Sequence, residues 1–325
     1  PLSGFLFTLQ PLKLQSKWPL GFTNTALNMM EDAFDDQYLG CAKEMEKKAP
    51  ELLEKEKSMS SVFSRVWENA HKKWENVKSS SPLRNYEDKY GIALAAYTDS
   101  TPQDNGEAFS TTFNEAVESA GTSRAYYMAH FRFKAFHYYL TRALQLLRKE
   151  CNKVYRGVSK RFKYEEGDIR FGRFASSSFS ERVAEEFSNG GTLFTIHTCF
   201  GVKIQALSYN PHQEEVLIPV HETFSVSPQG NNRFVLRSTN RTCSHFNCTY
   251  LGGEYWAEHE KYLCGAICCG EFENPTSGRA DERDADLGIC HQGWGRQAAT
   301  TLAARGLGWG GWMLGPTRSL RKEGA

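Results

Sequence analysis

Apolar residues recur at helical spacing through the first half of the chain, from residue 32 to residue 148. Val62, Val66 and Ala70 form one stripe with Trp67 and Trp74 beside it, and Phe113, Ala116 and Val117 mark a second. A third helical pattern runs without interruption over 125–147. The spacing predicts a layer of helices. Near Cys151 the pattern changes. After Val154 the apolar runs shorten, gain Val, Phe, Thr and Ile, and are punctuated by Gly, Asn and Pro, as in 191–198 and 215–219; these are strand signals. Helices followed by strands predict an α+β fold. No internal repeat is visible.

At 325 residues and 40% hydrophobic content the chain is long and apolar enough for one large or two ordinary domains with a sizeable core. Its 39 Lys and Arg balance 38 Asp and Glu, so no global basic field exists to recruit nucleic acid or an anionic membrane, and no nucleic-acid partner is expected. Nine cysteines without a paired CxxC pattern argue against a zinc site; no metal is expected, and the thiols are either bridged in an oxidising compartment or buried and free in a cytosolic protein.

The two ends differ in character from the middle. Residues 1–24 read as an N-terminal extension whose apolar run, 4–9, is too short for a membrane span; it is a signal remnant or the product of a mispredicted first exon. Residues 263–325 carry much Gly, Ala and Arg with no sustained period and read as a disordered tail or as sequence foreign to the fold. The end is basic, and the apolar tail of a lipid-anchored protein is not evident there. Residues 25–262 are the expected folded domain. Within it Asn240-Arg241-Thr242 and Asn247-Cys248-Thr249 are candidate glycosylation sequons, informative only if the protein is secreted.

The candidate chemistry lies in three short strand-like motifs. These are Val154-Tyr155-Arg156-Gly157, then Phe174-Ala175-Ser176-Ser177-Ser178, then Gln213-Glu214-Glu215 at the mouth of an apolar strand. A pair of glutamates alone is usually a solvated face, but the ordered triple of Arg156, Ser176 and Glu215 is far more specific. It resembles the R–S–ExE signature of the vertebrate arginine-specific mono-ADP-ribosyltransferases, with the first Glu replaced by Gln213. The resemblance extends over about 30–250 and includes 33–41, 90–98, 133–144 and 191–194.

The resemblance implies an ADP-ribosyltransferase fold: a helical N-terminal layer followed by a two-sheet β core whose cleft takes NAD, or NADP, as substrate. It implies disulfides Cys41–Cys248 and Cys151–Cys199, and hence a secreted or cell-surface location; a monomer is expected. Cys243, Cys264, Cys268, Cys269 and Cys290 have no place in that scheme, and a small metal site among them is the remaining alternative. The partners implied are protein arginines or water as acceptors of ADP-ribose.

The implied roles agree with the chemistry of each side chain. The nicotinamide–ribose bond already carries a cationic leaving group, so the barrier lies in forming an oxocarbenium-like centre that a carboxylate stabilises. Glu215 is that carboxylate. Arg156 has the planar charged fork that suits diphosphate and ribose oxygens, and Gly157 offers backbone groups to the nicotinamide amide. Strand alternation puts Ser176 and Ser178 on one face, opposite Ala175, Ser177 and Phe179. Ser176 would orient Glu215; Ser178 shares that face or belongs to a serine-rich edge strand.

Gln213 is expected to position the acceptor without the charge that a Glu would supply, which favours NAD hydrolysis over transfer to arginine. Glu214 should point away if the segment is extended. Tyr209 is either an aromatic lip for the acceptor or an ordinary core residue. The alternative to an enzyme is an inactive surface binding protein that keeps the fold.

Overall fold

The computed structural model describes residues 25–253, apart from 105 and 148, together with the backbone of Gly265–Ala266. The expected extension, all but two residues of the expected tail, and Cys264, Cys268, Cys269 and Cys290 lie outside the described residues.

After a short strand β1 (Thr25–Ala26), six helices form the N-terminal layer: α1 (Ala42–Met59), α2 (Ser61–Val77), α3 (Asp88–Tyr97), α4 (Phe109–Ala120), α5 (Arg124–His130) and α6 (Lys134–Leu146). Ser60 caps α2 by accepting the Phe63 amide at 3.1 Å. The buried stripe of α2 is Phe63, Val66, Trp67, Ala70 and Trp74, with Val62 only half-buried at its edge. Trp74 lies so close to α3 that a Cβ at Gly91 would meet its indole at 2.3 Å, which is why that helix carries a glycine in its interior.

The uninterrupted pattern over 125–147 is two helices, not one. No Pro or Gly announces the break between α5 and α6. It is made by Glu56 of α1, whose carboxylate accepts the amides of Ala135 at 2.7 Å and Phe136 at 3.3 Å and so caps α6 from another element. Burial pushes the Glu56 carboxyl up to about 8, against the opposing pull of those amides and of Lys134.

The second half supplies β2 (Asn152–Val158), β3 (Phe162–Lys163), β4 (Ala175–Ser178), helix α7 (Glu181–Ser188), β5 (Thr192–Thr198), β6 (Val202–Lys203), β7 (Glu215–Ile218), β8 (Glu222–Pro228), β9 (Arg233–Thr242) and β10 (Gly265–Ala266). The order in the large sheet is β10-β9-β5-β2-β4-β7-β6, with β8 also on β9, while β1 and β3 form a small parallel sheet of their own. Among the described residues only β5 and β9 run parallel in the large sheet. The fold is α+β, as expected. One face of the sheet holds an apolar cluster that includes Val154, Ala175, Ile196, Val216 and Ile218, and the helical layer packs around a second, larger cluster rich in Phe and Tyr.

A belt joins the start of the domain to its end. Asp35 and Arg170 are a fully buried ion pair, and Asp35 also accepts the amides of His245 and Phe246. Arg170 uses its remaining donors on the carbonyls of Met29 at 2.8 Å, Met30 at 3.3 Å and Cys243 at 2.6 Å. Burial would raise the Asp35 carboxyl, but Arg170 and His245 hold it below its ordinary value. Asp36 accepts the amides of Tyr38, Cys248 and Thr249, and burial raises it. The disulfide Cys41–Cys248 closes the belt, and Cys151–Cys199 ties the chain ahead of β2 to the end of β5. Both pairings are those the resemblance implies. Cys243, left without a place in that scheme, is disulfide-bonded as well.

The sequons differ in exposure. Asn240 is exposed, whereas the Asn247 side chain is held between the amide and carbonyl of Leu39 at 2.8 and 2.9 Å. Among the described residues no helix is long and apolar enough to cross a membrane.

Candidate active site

Three adjacent strands bring the predicted residues together. β2 carries Arg156 and Gly157, β4 carries Ser176, and β7 opens with Glu215. Because β4 pairs antiparallel with both neighbours, Ser178 lies opposite Tyr155 on one side and opposite Glu215 on the other. Strand pairing thus turns wide separation along the chain into proximity: Ser176, Ser178 and Glu215 share one face, while Arg156, next to Tyr155, alternates to the face of Val154 and Phe194 and still reaches the cavity. Arg156, Gly157, Ser176, Gln213 and Glu215 all line one cavity of about 350 Å³, a size typical of small-molecule sites.

Glu215 is 7% exposed. Burial raises its carboxyl, and hydrogen bonds from the hydroxyls of Ser176 and Ser208, together with the charge of Arg156, pull the other way. The Ser208 hydroxyl stands 3.3 Å from Oε2. Arg156 donates from Nη1 to the Ser176 carbonyl at 2.5 Å, and its guanidinium lies 5.8 Å from the centre of the Phe171 ring. Burial lowers it to about 10, opposed by Tyr97, Glu118 and Glu215, so it stays charged at neutral pH.

Alternation along β4 sorts its residues as expected. Ala175 joins the apolar cluster, Ser176 faces the cavity, the Ser177 hydroxyl donates to the Val216 carbonyl at 2.8 Å, and the Ser178 hydroxyl donates to the Gln213 carbonyl at 2.7 Å. Ser178 therefore anchors the loop that presents Gln213. That loop is not extended. A 3-10 turn, Pro211–Gln213, ends on Glu214, which adopts a left-handed conformation at φ 48° and is exposed. The turn keeps Gln213 and Glu215 on the cavity and sends Glu214 to solvent by a route that strand alternation alone does not describe.

Gly157 has a reason beyond ligand approach. A Cβ there would lie 1.7 Å from the Ala184 carbonyl oxygen, so any other residue would drive α7 off β2. Through that close contact α7 brings Phe187 to the cavity, where the ring is 58% exposed. A large flat apolar ring left open at a cavity wall is suited to stacking on a planar ligand.

Tyr209 does not line the cavity. Its ring is half-buried at the edge of the helical cluster, with Lys73 over one face, and its hydroxyl is buried.

Several lining residues carry no motif. Tyr97, at the end of α3, donates to the Phe174 carbonyl at 2.8 Å, and Asn114 of α4 reaches both that hydroxyl at 3.0 Å and the same carbonyl at 3.2 Å. They fix the helical layer to β4 directly beneath Ser176. Arg173 is paired with Glu118, and Asp99 lies just past the end of α3. Only Phe187 left a trace in the sequence, through the apolar i, i+4 pair it forms with Val183 on a helix half of whose residues are charged. Among the described residues no His lines the cavity beside the serines, and no group of three or more His, Cys, Asp or Glu could hold a metal ion.

Comparison with known proteins agrees with this geometry. The family description NAD:arginine ADP-ribosyltransferase matches residues 27–244. The chain is 46% identical over 268 residues to human ecto-ADP-ribosyltransferase 5, covering 78% of this chain and 90% of that protein. It is 46% identical over 231 residues to rat T-cell ecto-ADP-ribosyltransferase 2, covering 69% and 80%. Among solved structures, a mutant of the eukaryotic mono-ADP-ribosyltransferase ART2.2 in complex with NADH superposes with a TM-score of 0.63 at 44% identity, covering 69% of this chain and 99% of that one. Another ART2.2 mutant, bound to NAD, matches equally well. The chain belongs to the NAD:arginine ADP-ribosyltransferase family and is a mono-ADP-ribosyltransferase that uses NAD.

Proposed function

We propose that this chain splits the nicotinamide–ribose bond of NAD and passes ADP-ribose to water or to the guanidinium of arginine, with water the favoured acceptor. The observation that carries the reading is the convergence of Arg156, Ser176, Glu215 and Gln213 on one cavity. As the bond breaks, nicotinamide leaves as a neutral base with the bonding electrons and positive charge develops on the ribosyl carbon. Glu215, buried and braced by Ser176 and Ser208, is placed to stabilise that charge in a site of low dielectric. Arg156 is held at a fixed angle by the Ser176 carbonyl and suits the diphosphate, and Phe187 offers its face to the nicotinamide ring.

The acceptor then attacks the ribosyl carbon and loses a proton. Water needs little positioning, whereas a guanidinium benefits from an anionic partner that the Gln213 amide does not provide. The two disulfides and the relatives' designation as ecto-enzymes support a secreted or cell-surface setting, where exposed Asn240 is the sequon fit for a glycan.

The test is nicotinamide release from NAD by the purified full chain, with and without agmatine as a small guanidinium acceptor. Release in both conditions, with free ADP-ribose as the main product, is expected. Absence of release from folded protein would favour the inactive binding protein.

A further inference from the structure

Among the described residues Asp99 is, with Glu215, one of two carboxylates that line the cavity. It is 3% exposed. Its Oδ1 accepts the Thr101 amide at 2.9 Å, and no basic side chain pairs with it among the described residues. Asp99 also follows immediately on the C-terminal cap of α3, where the aligned carbonyls of the helix end disfavour a negative charge. A buried carboxylate in that position, with one bond from the protein, costs stability unless a cation reaches it. The described residues supply none.

Its neighbours place it beside the acceptor loop. The Tyr209 amide donates to the Thr98 hydroxyl at 3.3 Å, and the Asn210 side chain donates to the Ser100 hydroxyl at 3.0 Å. The Gln213 amide in turn donates to the Asn210 carbonyl at 3.0 Å. The segment 98–100 and the loop that presents Gln213 are thus latched to each other along one wall of the cavity.

We infer that Asp99 positions the guanidinium of an acceptor, supplying the anionic partner that Gln213 lacks. This rests on the reading of the chain as an NAD-cleaving enzyme. In the transfer step the ribosyl carbon loses its bond to nicotinamide and gains one to a guanidinium nitrogen, and the proton released from that nitrogen passes to water. Asp99 holds and orients the cation and takes no proton. The residual transfer to arginine then depends on position 99, and a carboxylate at position 213 adds to it.

The test uses the full chain, NAD and agmatine, comparing wild type with Asp99→Asn, which keeps an oxygen for the Thr101 amide, and with Asp99→Ser, which can also cap it. The ratio of ADP-ribosylagmatine to free ADP-ribose should fall about tenfold in both variants, with a matching rise in KM for agmatine, because a charge-assisted contact becomes a neutral one. Gln213→Glu in the Asp99→Asn background should recover part of the loss, which a purely structural role for Asp99 would not allow. An unchanged ratio overturns the inference, as does a rise in KM for NAD with the ratio intact. If the wild type releases no nicotinamide, the functional reading has failed and not this one. Agmatine binding, measured by calorimetry with a non-cleavable carba analogue of NAD present, then decides: a tenfold weaker constant in Asp99→Asn supports it, and equal binding, or none by wild type, sinks it.

Discussion

Buried charge is handled in opposite ways at the belt and at the cavity. At the belt, Asp35 is met by Arg170, by His245 and by two backbone amides, while Arg170 spends its other donors on three carbonyls. Asp36 accepts three amides. Nothing is left over for a ligand. At the cavity, Glu215 has two hydroxyls and a nearby guanidinium, Arg156 has one carbonyl at 2.5 Å, and Asp99 has one amide. Satisfied charge holds the two ends of the domain together; charge left with spare bonding capacity marks where a substrate completes the arrangement.

The largest effect that would break this comparison is at the belt. Asp35→Asn leaves Arg170 buried without its counter-ion and should destabilise the domain by about 3–5 kcal/mol, read from urea unfolding. A loss below about 1 kcal/mol would mean that the pair is not the clasp described.

At the cavity the cost should fall on rate instead. Glu215→Gln keeps the shape and removes the charge, so turnover should drop by about 100-fold or more with NAD affinity far less affected and the unfolding midpoint unmoved or raised. Near-normal nicotinamide release from this variant would remove Glu215 from the chemistry.

His137 sharpens the comparison through pH. It is fully buried, hydrogen-bonded through Nδ1 to the Tyr38 hydroxyl at 2.7 Å, and burial lowers it from 6.5 to about 3. The folded state therefore stays unprotonated while the unfolded chain takes up a proton, so this stability is present above pH 6.5 and is lost as the pH falls from there towards 3. Raised carboxyls such as Glu56 act with the opposite sign over part of that range, so the informative quantity is the difference between wild type and His137→Asn. The variant should lose less stability on acidification, by about 1.4 kcal/mol per pH unit below 6.5. Parallel stability curves would mean that His137 titrates normally in the folded protein.

The smallest effect is on partition. Gln213→Glu adds a carboxylate beside the acceptor and should raise the ratio of transfer to hydrolysis about fivefold, with total NAD consumption changed less. Labelled ADP-ribose on agmatine against free ADP-ribose measures it. No change would place the whole of acceptor recognition elsewhere on the wall.

The sequence by itself determined the order of helices before strands, the three motifs and their resemblance to a family, and through that resemblance the pairings Cys41–Cys248 and Cys151–Cys199. These were legible because periodicity and motif are properties of neighbouring residues. Other features depend on groups far away along the chain. The stretch 125–147 is broken by Glu56, about eighty residues upstream of the amides it caps. Tyr209 rests half-buried against the edge of the helical cluster, outside the cavity lining, and Glu214 turns outward because a 3-10 turn precedes it. Tyr97, Asp99 and Asn114 reach the cavity because hydrogen bonds to the Phe174 carbonyl hold the end of α3 and the middle of α4 beside β4, and Phe187 because α7 packs on β2, β4 and β5. What each of those side chains faces was decided only when tertiary contacts, whose partners no local pattern names, fixed the elements against one another.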